Sequence, residues 1–327
     1  MSAGARSVAN VFCGTSDFAA TVLRGLAASP HSPSLVVTPT DRPRGRGRKL
    51  SSPPVADLAR ELGLELHQTA GINDPDSRRA VLDHAPEFAT VCAFGQLIKQ
   101  PLIGELPMLN IHPSLLPRWR GAAPVERAII AGDAVTGVCV MKLTEGLDSG
   151  PVALRGEIEV AANDTYGTLA PRLAELGSRL LIEALDLAAA GDLTARFAEQ
   201  GEEGVTYAEK LSARDRRVDP SRPAAAEVLR VRALTPQVGA FAELVEGGRV
   251  GLRSTAAVGT LNADDGEPAD QPGPGEFAEH EGALFLGCTP GALRIAEIQP
   301  EGGRWMAAGD YLRGRGVPPG VNPANPS

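Results

Sequence analysis

The stretch Asn110–Gly121 reads Asn-Ile-His-Pro-Ser-Leu-Leu-Pro-Arg-Trp-Arg-Gly and sets an amide, an imidazole, a hydroxyl and two guanidiniums beside a short apolar run. Met108 to His112 is too short and too hydrophobic for a surface helix, so the spacing predicts a buried strand end with Asn110 and His112 on one face. A second strand-like run, Thr136 to Leu143, leads into Thr144-Glu145-Gly146-Leu147-Asp148-Ser149-Gly150, a turn that presents the Asp148 carboxylate between glycines. An amide, an imidazole and a carboxylate with no metal-ligand set nearby suit acyl transfer from a carrier to an amine. The attacking amine must lose a proton, the carbonyl oxygen becomes an oxyanion, and the departing nitrogen must be released. Asn110 and His112 could donate to the oxyanion, while Asp148 orients His112 or holds a water that relays the proton. A plainer reading of the same residues stays open: Asn110 and Asp148 as turn formers and His112 as a satisfied interior histidine. Ser114 lacks a Gly-x-Ser-x-Gly elbow and is not expected to act as a nucleophile.

The elements that must position these groups follow from the hydrophobic pattern. Apolar runs at Val8–Cys13, Leu35–Thr38, Phe88–Phe94, Leu109–Ile111 and Val138–Leu143 alternate with helical periods at Asp17–Ala28, Pro54–Leu62, Asp76–His84, Ala123–Ala131 and about 165–189. This predicts an α/β domain built on a doubly wound parallel sheet, a class that binds ligands beyond its strand ends. Ser16 is placed to cap the first helix. Residues 191–210 lack a clear period and read as a linker. Beyond Lys210, short β-like pieces at Ala240–Val245, Arg249–Leu252, Ala283–Gly287 and Ala292–Ile298 are broken by Gly, Pro and Asp, as in a small β-barrel. The expected division is therefore 1–190, a linker at 191–210, a barrel at 211–315 and a disordered tail at 316–327, with a mobile hairpin loop at Asn262–Gly275.

The 327 residues are 43% hydrophobic, enough for sizeable cores. A formal charge of -8 argues against a protein that coats nucleic acid or anionic membrane through its overall field, so any nucleic-acid site must be a local patch. One stands out: Asp41 to Lys49 carries Arg42, Arg44, Arg46, Arg48 and Lys49, interleaved with Gly and Pro that oppose regular structure. It reads either as a mobile cationic finger for phosphates and exposed bases or as a solvated loop. The four cysteines are widely spaced and lack a Cys-x-x-Cys pair, so packed thiols are expected, with neither a disulfide framework nor a zinc site. With neither a secretory leader nor a membrane-length apolar run, a cytoplasmic monomer is expected.

Asn110-x-His112, then Ser114-Leu115-Leu116-Pro117, then Arg118-x-Arg120-Gly121-Ala122-Ala123-Pro124, with Asp148 in Gly-Leu-Asp-Ser-Gly, resemble the 10-formyltetrahydrofolate-dependent formyltransferases. The likeness takes in Val11–Thr15, Asp17–Ala19, Asp41–Pro43, Ala93–Gln96 and Thr206–Leu211. The Arg-Trp-Arg-Gly-Ala-Ala-Pro and Thr-Tyr-Ala-Glu-Lys-Leu segments point to the branch whose amine is methionyl-tRNA. The resemblance implies a Rossmann-like catalytic domain followed by an OB-like barrel that binds tRNA. It implies Asn110, His112 and Asp148 as catalytic residues, and Ser114, Leu115, Leu116, Pro117, Phe94, Gln96 and Leu97 around the folate. It further implies 10-formyltetrahydrofolate as co-substrate with no metal. The cationic loop, with Arg42 as main contact, would enter the acceptor stem of initiator tRNA. Arg118 and Arg120 could bind the 3′ end or make a helix-entry salt bridge, and Trp119 reads as a packed anchor.

Two departures are evident: Pro113 stands where many relatives have Gly, and the segment around Pro236 lacks their usual tryptophans. Arg214, Arg216, Arg217, Arg222 and Arg230 could line an RNA path or a solvated face. A formyltransferase acting on a small amine, such as glycinamide ribonucleotide or an amino-sugar nucleotide, is the alternative. A retired RNA-binding scaffold and a formate-releasing hydrolase are more distant rivals.

Overall fold

A computed structural model describes residues 6–44, 49–259 and 271–322, which fall into two compact units. The first holds the chain up to Pro124 with Val135–Glu159 and Ala170–Ala208; the second holds Val125–Ala134, Val160–Leu169 and the chain from Glu209 onward. The partition is thus less linear than the expected boundaries at 190 and 210.

In the first unit, strands β1 (Asn10–Gly14), β2 (Leu35–Pro39), β3 (Leu66–Thr69), β4 (Phe88–Cys92), β5 (Met108–His112), β6 (Val135–Lys142) and β7 (Val152–Glu159) form one sheet in the order β7-β6-β5-β4-β1-β2-β3. The five strands from β3 to β5 are parallel. The expected parallel course fails at β6, which runs antiparallel to β5 and is followed by an antiparallel β7. A short link between β6 and β7 permits only a hairpin, since a parallel return needs a crossover of a dozen residues or more. Sequence reading missed β7 because its exposed Arg155, Glu157 and Glu159 dilute the apolar signal. It missed β3, Leu-His-Gln-Thr, for want of a hydrophobic run.

Helix α1 (Asp17–Ala27) starts where expected, with the Ser16 hydroxyl accepting from the Ala19 N–H. Helices α2 (Pro54–Glu61) and α3 (Pro75–Leu82) follow. In α4 (Tyr166–Ala190), Leu173, Ala174, Leu181, Ala184 and Leu185 are buried at helical spacing. Gly177 of α4 lies against β5, where a Cβ would come within 2.9 Å of Ile111 Cγ2. Since strand side chains alternate, α4 closes the Ile111 face of β5 and leaves Asn110 and His112 on the opposite face. The cysteines pack as small hydrophobes, and burial pushes the Cys13 thiol up to about 12.

The cationic loop is more regular than Gly and Pro suggested, because Arg42–Arg44 and Lys49–Ser51 pair antiparallel, with Arg42 opposite Ser51. Arg46 and Arg48 lie outside the described residues. The base of this hairpin is tied down where Gln68 Nε2 donates to Asp41 at 2.8 Å.

The second unit is built on β8 (Ala240–Glu243), β9 (Arg249–Val258), β10 (Phe277–His280), β11 (Ala283–Gly287) and β12 (Ala292–Pro300), antiparallel in the order β8-β9-β12-β11-β10. Helices α5 (Ala224–Leu234) and α6 (Ala308–Arg315) cover its core, in which Val231, Leu234, Leu252, Leu286, Ile295 and Tyr311 are buried. The expected hairpin loop falls largely outside the described residues. The expected disordered tail is a different matter. Val321 is buried and bridges to Leu244 just past β8, while its N–H reaches Gly275 O just ahead of β10 at 2.6 Å. Residues 316–322 thereby link the two edges of the sheet, held by backbone hydrogen bonds that leave no hydrophobic period to read.

The basic cluster of this unit follows neither expected course, because most of it is bound internally. Arg217 pairs with Glu243 at 3.2 Å, and Arg230 pairs with buried Glu227 at 2.9 Å and donates to Asp215 O. Arg222 also faces Glu227, and Arg216 donates to Gly239 O. Asp215 accepts from Arg127 at 2.6 Å and from the Ser212 N–H and hydroxyl. Burial raises the Asp215 carboxyl, but these donors outweigh it and bring the pKa down to about 2. An unfolded Asp215 takes its proton first as pH falls. Its contribution of about 2 kcal/mol is therefore complete above about pH 4 and lost between about pH 4 and 2. Urea titrations across that window should show Asp215→Asn less stable than the parent at pH 6, with a flatter acid dependence.

Candidate active site

Three side chains meet over the open face of β5. Asn110 Nδ2 lies 3.5 Å from Asp148 Oδ1, and His112 Nδ1 lies 3.6 Å from Asp148 Oδ2. His112 is 4% exposed and the Asp148 side chain 15%, so the carboxylate keeps one edge toward solvent. The sequence expectation that these three share one site is what the structure shows.

His112 Nε2 lies 2.8 Å from the carbonyl oxygen of Trp119. A carbonyl only accepts, so Nε2 carries a proton and Nδ1 is the ring atom left to face Asp148. The Trp119 carbonyl is aimed by a backbone at φ 64°, a left-handed conformation unusual for a bulky residue. That turn is held by Thr206, whose hydroxyl accepts from the Trp119 N–H at 2.9 Å and whose carbonyl accepts from the Arg120 N–H. The Trp119 ring carries the Arg118 guanidinium 4.3 Å above it.

Asp148 sits at φ 44° in the β6–β7 turn. Its Oδ2 accepts from the Gly121 N–H at 2.8 Å, a bond that fixes the carboxylate's orientation. Gly121 is at φ +123°, and a Cβ there would sit 2.8 Å from Ala208 O, so only glycine fits.

The residues expected around a folate divide into two groups. Ser114 is fully buried, and its hydroxyl donates to Arg118 O at 2.6 Å; Leu116 is buried with Cys139, Met141 and Val152. The Ser114 hydroxyl is thus occupied within the turn and the Leu116 side chain is packed in the core, which leaves their main chain to meet a ligand. Leu115 and Pro117 are half-buried. Gln96 accepts from the Ile72 N–H and donates to Thr69 O, so its side chain fixes the loop after β4. Phe94 is buried, and its carbonyl accepts from the Thr15 hydroxyl. Leu97 on that loop and Leu147 beside Asp148 are 69% and 60% exposed. Exposed leucines next to main-chain polar groups fit a flat, partly apolar heterocycle. Of the cationic loop, Arg42 is exposed on its hairpin. Arg120 Nε and Nη2 donate to Gln200 at 3.0 and 2.8 Å, and among the described residues no acidic side chain is seen to pair with it. Gln200, Thr206 and Gly121 were invisible as site residues in the sequence: two lie in the aperiodic connector, and the third acts through its N–H.

Comparison with known proteins matches residues 6–185 to the formyl transferase model and residues 210–316 to the formyl transferase C-terminal domain. The chain belongs to the formyl transferase family. It is 41% identical to the methionyl-tRNA formyltransferase of Halorhodospira halophila, over 95% of this chain and 97% of that protein. It is likewise 41% identical to the methionyl-tRNA formyltransferase of Methylococcus capsulatus, over 92% and 95%. Among solved structures, HypX from Aquifex aeolicus in complex with tetrahydrofolic acid aligns with a TM-score of 0.60 at 19% identity, covering 94% of this chain. This chain spans about half the length of HypX, covering 47% of it, and that likeness concerns the fold. No helix among the described residues is long and apolar enough to cross a membrane.

Within this formyl transferase, Gly121→Ala should force a strained backbone and displace the N–H that holds Asp148. A loss of about 1–3 kcal/mol is expected, read as a lowered Tm by calorimetry.

Proposed function

We infer that this protein is a formyl-transferring enzyme that moves the formyl group of 10-formyltetrahydrofolate to the α-amino group of methionine esterified to initiator tRNA. The observation that carries the reading is the meeting of Asn110, His112 and Asp148 in a chain about 40% identical to methionyl-tRNA formyltransferases over nearly its whole length. That full-length likeness favours a tRNA-linked amine over a nucleotide or sugar amine.

When bound, the folate supplies a carbon at the formyl oxidation level on a nitrogen that can depart. The protein's part is to place and move protons around it. Asp148, held by Gly121, takes a proton from the attacking amine directly or through a water, because its carboxylate keeps an edge open to a substrate. Asn110 Nδ2 and a protonated His112 Nδ1 donate to the oxygen that gains charge, and their fixed placement means little reorganisation as that charge develops. His112 then hands its Nδ1 proton to the departing nitrogen, while its Nε2–H stays on Trp119 O. The folate ring would lie against Leu97, Leu115 and Pro117 and the main chain around Phe94–Ile98 and Leu143–Asp148. Arg42, Arg44, Arg46, Arg48 and Lys49 would meet tRNA phosphates and bases.

The test is transfer of labelled formyl from 10-formyltetrahydrofolate to initiator methionyl-tRNA, with elongator methionyl-tRNA, small amines and water alongside. Selective formylation of the initiator is expected. Turnover only on small amines, release of formate alone, or tRNA binding without turnover would each replace this reading with one of its rivals. Asp148→Asn and His112→Asn should each cut turnover roughly 10²–10⁴-fold, and Asn110→Asp should be as severe because it turns a donor into a charge facing the oxyanion. Arg42→Ala should raise the KM for tRNA about tenfold, as expected for one charge-assisted contact, and leave the KM for folate unchanged.

A further inference from the structure

Gln200 lies in the connector after α4, outside every motif that marks the site, yet it joins two of the site's loops. Its Nε2 donates to both Asp148 O and Gly150 O at 2.8 Å. Its Oε1 accepts from Arg120 Nε at 3.0 Å and Nη2 at 2.8 Å. A side-chain amide has two donor hydrogens and two acceptor lone pairs, and all four are used. Only a group that donates at one end and accepts at the other fits, since two carbonyls lie on one side and a guanidinium on the other.

We propose that Gln200 is a positioning residue for the transfer reaction: it holds the Asp148 turn at the distance from His112 and Asn110 at which the carboxylate works. The proposal rests on the reading that Asp148 acts in formyl transfer. Asp148 is gripped at two places, its carboxylate by the Gly121 N–H and its carbonyl by Gln200. Gly121 and Arg120 are themselves tied to the connector. Tyr207 and Ala208 pair parallel with Arg120 and Gly121, Thr206 O accepts from the Arg120 N–H, and Ala208 O accepts from the Ala122 and Ala123 N–H groups. Ala198, two residues before Gln200, pairs with Val152 at the start of β7. Residues 198–208 therefore span from the start of β7 to the loop after β5, and Gln200 is their side-chain contact with the turn that carries the carboxylate. Without that contact, Asp148 at φ 44° keeps one short hydrogen bond, from the Gly121 N–H, beside the longer approaches of Asn110 and His112, on a turn whose neighbours Gly146 and Leu147 are exposed.

Two substitutions separate positioning from mere support. Gln200→Met keeps the volume and removes every hydrogen bond. Gln200→Glu keeps and strengthens the bond to Arg120 but sets a carboxylate oxygen against the carbonyls of Asp148 and Gly150. Both should lower kcat on the order of a hundredfold, the cost of a displacement near 1 Å at reacting groups, with KM for folate and for tRNA within about twofold of the parent, a change too small to signal a lost contact. Gln200→Glu should lower Tm less than Gln200→Met, because its ion pair with Arg120 offsets part of the lost bonding. Asp148→Asn is assayed in parallel. If Asp148→Asn is crippled while Gln200→Glu turns over like the parent, the positioning role is overturned and the catalytic reading stands. If kcat per folded molecule is unchanged in both Gln200 variants and only Tm falls, Gln200 is merely structural. If Asp148→Asn is fully active, the catalytic reading fails and takes this inference with it.

Discussion

The hydrogen bond from His112 Nε2 to the Trp119 carbonyl decides what the rest of the site can do. It assigns the ring's fixed proton to the nitrogen facing away from the carboxylate and leaves Nδ1 as the only ring atom able to gain or lose a proton during the reaction. A histidine free to flip would offer either nitrogen and two distances to Asp148. Fixing it requires a carbonyl delivered from the side, and a main chain at φ 64° does so. The Thr206 hydroxyl and carbonyl on either side of that peptide keep it there. An unfavourable local conformation is thus sustained by bonds from a segment nearly ninety residues away, the usual way strain persists at a working site.

How much of this could be read from residues alone depends on which force sets each feature. Asn110 and His112 on one face of a buried strand follow from a two-residue period, and α1 from its cap and apolar stripe; both came through intact. The direction of β6 did not, because a strand's own hydrophobic pattern carries no sign of whether its neighbour runs parallel or antiparallel to it. Strands β3 and β7 were missed for having too little apolar contrast. The connector at 191–210 has no hydrophobic period because it is held by amide, hydroxyl and carbonyl bonds, which leave no trace in a hydropathy pattern. Gln200 was hidden for that reason. Asp148 could be found because glycines flank it.

Charge in the second unit illustrates the same limit. A sequence shows five arginines between 214 and 230 but not their partners, and Asp215, Glu227 and Glu243 take most of them inward. Glu227 is fully buried, and burial pushes its carboxyl up while Arg230 and Arg222 pull it down. A basic run can therefore be internal scaffolding, whereas Arg42, on a hairpin projecting an exposed Leu50 opposite Pro43, keeps its side chain available.

The segment that runs from α6 to Asn322 lies between strands that would otherwise be the sheet's two edges. Edge strands offer unpaired amides and carbonyls to any passing chain, and proteins blunt them with charges, bulges or cover. Here the cover is main chain from the same polypeptide. Buried Val321 and its neighbours take up backbone groups at the ends of β8 and β10, while Arg217 bridges to Phe241 along the open side of β8. A tag fused too close to Val321 would therefore compete with the backbone bonds that hold the ends of β8 and β10, without touching the site.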